Sequence, residues 1–226
     1  MGSRTATARS AAVSRLALPA AAPGRAERRA DLCVLVCGLV LGTAAAIALL
    51  RLALARDNPR LVIGVALYVA GLLAMLGCSL FYRAAVEPRR RQFLRRLDHA
   101  AIFAMIAGSA TPFALARGGA RGVVVASVLW SVAALGIAFK LRFPIGGIRR
   151  SAIFYLLLGW VSLVAVGPAV SGETVMLITA GGVCYSAGIP FLLTWRSPYR
   201  LAIWHSFVVA GAACHFLAIV NGVVLA

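Results

Sequence analysis

The 226-residue chain is 62% hydrophobic and 13% charged, with mean hydropathy +0.93 and a formal net charge of +17. That composition excludes an ordinary soluble domain and leaves no room for a separate soluble catalytic module. Seven apolar runs are each long enough to cross a bilayer core, and the spans are predicted near 32–54, 61–83, 97–116, 122–140, 151–168, 174–194 and 202–225. The fold class is therefore all-α: a polytopic, seven-transmembrane-helix bundle.

Taken along the chain, residues 1–31 form a basic arm, read as a disordered cytoplasmic segment ahead of one membrane domain, 32–226. Its Arg-, Ala- and Ser-rich composition is also that of transit peptides, so a targeting role stays open. The first run carries Cys33 and Cys37, and Cys78, Cys184 and Cys214 lie in later runs. With no CxxC pair among them, all five read as small core hydrophobes. Turn signals separate the runs: DNP at 57–59, VEP at 86–88, RFPIGG at 142–147 and WRSP at 195–198. WRSP and Trp204 read as interfacial anchors. Pro112 and Pro190 fall inside spans, and Gly181, Gly182 and Gly188 are expected to let helices approach closely. No internal repeat is evident, which argues against a transporter built from inverted halves.

Charge sets the predicted topology. Eighteen of the 23 basic residues fall in the N-terminal arm and alternate connections, and five in the others. Short basic loops stay cytoplasmic, so the N-terminus is placed inside and the C-terminus outside. The excess is thus topological, with attraction to anionic lipid, and no nucleic acid partner is implied. All but one of the basic residues are Arg, a bias pointing to a GC-rich genome and a bacterial inner (plasma) membrane.

Polar side chains within the membrane are few. Asp98 opens the third run, and an acid at that place marks a functional site whose partner must be found. The other acids, Glu27, Asp31, Asp57, Glu87 and Glu173, lie between or at the ends of the runs. The predicted topology brings Ser79 and Arg83, four apart at the end of the second helix, level with Asp98 and His99 and with His205 at the start of the seventh. His215 lies about 15 Å deeper on the same helix and is expected to bridge helices. A packed His205, a helix-capping Asp98 and an Arg83 reaching to the interface are the plain structural alternatives.

SLFYR at 79–83, RRLDHAAIFAMIAGSATPF at 95–113, YLLLGW at 155–160, GGVCYSAG at 181–188 and WHSFVVAGAACHF at 204–216 resemble the hemolysin III family, which belongs with the adiponectin and progestin receptor proteins. The resemblance covers about residue 31 to the end. It implies a seven-helix bundle with a zinc site, held by one histidine on the second helix and an HxxxH pair on the seventh. An aspartate and a serine, here Asp98 and Ser79, would position a zinc-bound water for amide hydrolysis of ceramide-like lipids.

Two of the three ligand positions depart from that pattern. Arg83 stands where the second-helix histidine belongs and Leu201 where the HxxxH pair begins, leaving His205 as the sole retained ligand. Arginine stays protonated and leucine has no donor, while catalytic zinc takes three protein ligands. The expectation is a vestigial site with no cofactor, or zinc held weakly. The protein would be a non-catalytic sensor, scaffold or lipid-binding protein, with membrane lipids as partners and a lipid ligand in the bundle. A zinc-dependent lipid amide hydrolase with a rearranged site around His205, His99 and Asp98 is the alternative, and a pore-forming cytolysin a further one. Oligomeric state, ligand and physiological role are not legible. The sharpest expectation is that Arg83 replaces the cation and pairs with Asp98.

Overall fold

A computed structural model of the chain describes residues 24–116, 118–143, 148–166, 170–193 and 198–226, apart from the side chains of 148 and 149. Seven helices fill the described residues: α1 (Arg25–Leu54), α2 (Pro59–Ala84), α3 (Pro88–Ala116), α4 (Gly119–Arg142), α5 (Ile148–Val166), α6 (Gly172–Leu193) and α7 (Arg200–Ile219). A π-helical turn, Val220–Val224, continues α7. Six of the seven are long and apolar enough to cross a membrane, while the apolar part of α5, Arg150–Val166, is shorter.

Local chemistry sets several helix starts. Asn58 caps α2, its side chain accepting from the Arg60 and Leu61 backbone N–H groups, with Pro59 in the first turn where no N–H is missed. Glu87 does the same for α3, accepting from Arg89 N at 2.9 Å and Arg90 N at 2.8 Å ahead of a second leading proline. Gly118 and Gly119 turn the chain into α4 with φ of 69° and 65°, a region that side chains other than glycine's rarely occupy.

Two helices start earlier than hydropathy predicts. α1 begins at Arg25 and so includes residues expected in the basic arm; the rest of that arm, 1–23, lies outside the described residues. α3 begins at Pro88, so most of the expected 83–96 connection is helix. Both extensions are polar, which hydropathy cannot see but helix propensity tolerates. The RFPIGG and WRSP turns fall largely outside the described residues.

The sides of the bundle follow α1–α2–α3–α5–α6–α7 and close between α7 and α1, with α4 packed against the outside of α3. α3 is the most enclosed helix, and Phe113 on it and Tyr68 on α2 are fully buried. The α2–α3 seam is set by backbone contact: a Cβ at Gly71 would lie 2.8 Å from the Ala104 carbonyl oxygen, and one at Gly108 2.8 Å from that of Leu67. Where lipid removes the hydrophobic drive to pack, such approach supplies dispersion contact instead. Leu135, Val164 and Met176 are among the large apolar side chains facing outward.

The cysteines do not all behave as core residues. Cys33 and Cys37 are exposed, while Cys78, Cys184 and Cys214 are half-buried, and all five are free thiols. The buried stripe of α1 runs Asp31, Leu35, Gly38, which leaves 33 and 37 on another face. Trp204 also departs from its expected anchoring role, because it packs against the buried core and lines an internal cavity.

Candidate functional site

The start of α1, the end of α2 and the start of α7 meet at one end of the bundle, where they converge on Asp31. This carboxylate is 1% exposed. One oxygen, Oδ2, accepts from Arg83 Nε at 2.6 Å, and the other, Oδ1, lies 2.5 Å from His205 Nδ1. Arg83 and His205 side chains are themselves only 9% and 10% exposed. A buried carboxylate is tolerated when both oxygens are engaged by cationic or N–H donors, as here.

The expected Arg83–Asp98 pair is therefore replaced. Asp98 instead accepts from the Ser79 hydroxyl, which ties α2 to α3. Its other oxygen lies 3.4 Å from His99 Nδ1, within ion-pair distance but outside hydrogen-bonding geometry, and that nitrogen has no hydrogen-bond partner among the described residues. Arg83 reaches α1 rather than α3 because Asp31 lies on the inward stripe of α1 beside it. Asp31 escapes a hydropathy reading, since it precedes the first apolar run and stands among the connecting acids.

These groups open onto a cavity of about 650 Å³. Ser79, Arg83, Asp98, His99, Leu201 and His205 line its polar end, with Arg95 and Arg200 also on the wall. Further in, the wall is mostly apolar, through Met105, Phe113, Leu163 and Ile178. His215 marks the far end, where its ring packs edge-on against Tyr185 of α6 with centroids 5.6 Å apart. Its Nε2 has no partner among the described residues, and Gly181 leaves the space its ring fills.

The arrangement fits zinc poorly. Arg83 carries no lone pair and is engaged by Asp31, and Leu201 offers no donor, so of the three positions only His205, through Nε2, could ligate a metal. Among the described residues, no three His, Cys, Asp or Glu side chains gather to hold a metal ion, so His99 does not complete a set with His205 and Asp98. What the site can do is hold helices together by charge and present cations to an anionic or polar head group at the cavity mouth.

Comparison with known proteins agrees with this architecture. A family model described as Haemolysin-III related matches residues 34–216. The chain is 36% identical over 155 residues to "Hemolysin-3 homolog" of Bacillus subtilis (strain 168), covering 67% of this chain and 72% of that protein. It is 32% identical over 186 residues to "Hemolysin-3" of Bacillus cereus, covering 80% and 85% respectively. With its apolar helices and this match across most of its length, the chain is an integral membrane protein belonging to the haemolysin III family.

Proposed function

We propose that this protein is a lipid-binding member of the family, acting as a sensor or scaffold, in which the zinc site is vestigial and carries no catalysis. Its seven helices all span a bacterial inner membrane, with the N-terminus cytoplasmic and the C-terminus outside. The observation that carries the reading is the Asp31–Arg83–His205 cluster, in which a permanent cation sits at a ligand position and is held there by a buried acid. The apolar cavity behind it, with a cationic and hydroxyl-bearing mouth, has the polarity profile of an amphiphile. The basic asymmetry between alternate connections supports the orientation.

Elemental analysis of detergent-purified protein, with mass spectrometry of co-purifying lipids, tests this. The expected result is zinc well below one per chain together with a reproducible bound lipid. One chelator-resistant zinc per chain would overturn the reading and restore the zinc-dependent lipid amide hydrolase.

A further inference from the structure

The chain has one lysine among 23 basic residues, and the structure places it in an unusual setting. Lys140, in the last turn of α4, is 7% exposed, and its Nζ lies 2.6 Å from Ser151 Oγ in the first turn of α5. Arg142, two residues on, is exposed and reaches outward as a basic residue at a helix end ordinarily does. Ser151 is likewise 7% exposed, and it lines the same cavity as Asp98 and His205, with Lys140 behind it. Tyr155, one turn further along α5, puts its ring 5.8 Å from Nζ and donates its hydroxyl to the His99 carbonyl at 2.9 Å, fixing α5 against α3.

No carboxylate lies within ion-pair distance of Lys140 Nζ among the described residues, and its contacts are the Ser151 hydroxyl and the face of the Tyr155 ring. An amine can give up its proton, whereas the guanidinium found at every other basic position cannot. A serine hydroxyl on a lysine amine, facing a cavity, is the arrangement of an activated nucleophile. Ser151 lies in the first turn of α5, at the positive end of the helix dipole, which favours a developing oxyanion.

We propose that Ser151 and Lys140 form a metal-independent dyad that acts on a carboxylic ester of a membrane lipid whose acyl chain lies in the cavity. Ser151 Oγ attacks the ester carbonyl and its proton passes to Lys140 Nζ. The C–O bond to the alcohol breaks, and Lys140 returns the proton to the departing oxygen. Water then attacks the acyl-serine, Lys140 takes its proton, and the fatty acid leaves as Ser151 regains its hydrogen. The proposal goes beyond the lipid-binding reading and does not depend on whether zinc binds at His205.

The test uses the full chain in lipid nanodiscs with a long-chain alkyl fluorophosphonate, followed by intact mass and peptide mapping. A single adduct on Ser151 is expected, absent in Ser151→Ala. It should form at least about 100-fold more slowly in Lys140→Arg, which keeps charge and size but cannot act as a base. Thermal midpoints establish that each variant is folded. Should Lys140→Arg fail to fold, the labelling rate of the unmodified protein must still rise with pH to a plateau. No adduct on Ser151 of folded protein, adduct on another serine only, a rate indifferent to Lys140→Arg, or a flat pH profile overturns the dyad.

Discussion

Breaking the Asp31–Arg83 contact is the most direct challenge to the site as described. Arg83→Met removes a guanidinium that is 9% exposed from a carboxylate that is 1% exposed, leaving Asp31 with His205 alone. Orphaning one member of a buried pair costs about 3–5 kcal/mol, against at most about 1 kcal/mol for a pair in water. For a chain of this size, about 2–4 °C accompanies each kcal/mol, so the midpoint should fall by about 6–20 °C. Asp31→Asn should fall comparably, since it strands the guanidinium instead. The double variant should recover much of the loss, with a coupling of about 2–3 kcal/mol, because neither charge then lacks its partner. Thermal unfolding of the four proteins in one detergent provides the cycle. Arg83→Met with Asp98→Asn is the control, and those two should add, as no ion pair joins them. Additive losses for Arg83 and Asp31, or single losses near 1 °C, would show that water screens the pair and refute the reasoning.

Other outcomes follow from the same structure. Arg83→His together with Leu201→His, made in an Asp31→Asn background, should rebuild a three-histidine set with His205 and raise zinc towards one per chain by elemental analysis. Gly71→Val should destabilise the α2–α3 seam by about 1–3 kcal/mol, read as a lowered thermal midpoint, because even a Cβ would lie 2.8 Å from the Ala104 oxygen. Trp130→Phe should lose about 1 kcal/mol by the same measure, through its 3.0 Å bond to the Thr111 hydroxyl. A cysteine added after Ala226 in a cysteine-free background should react with an impermeant maleimide from outside intact cells. Reaction only after the cytoplasm is opened would reverse the proposed orientation.

The helices were legible because apolar length is a strong signal, and each of the seven predicted runs falls largely within one helix. The depth match between Ser79 and Asp98 was legible too, from helix direction alone. Asp31 was not, for a physical reason: hydropathy windows end where polarity begins, whereas a helix and its buried stripe continue past that point. A signal for it did exist. Stepping back by four and seven residues from Leu35 and Gly38, both buried on α1, arrives at Asp31. The family match starts at residue 34, so it too stops short of the acid that neutralises Arg83. The inward turn of Trp204 was hidden in another way, since a tryptophan near a helix start reads equally as belt or as core until its neighbours are known.

The shared carboxylate of Asp31 also bears on how the protein is made. Its partners come from the second helix and the last, and the His205 contact spans 174 residues. As the chain leaves the ribosome, α1 and α2 are already able to neutralise each other in the bilayer, long before α7 exists. The remaining oxygen of Asp31 stays open until synthesis ends and α7 docks. A chain that stops early therefore keeps a half-paired acid and an unwalled cavity in the membrane.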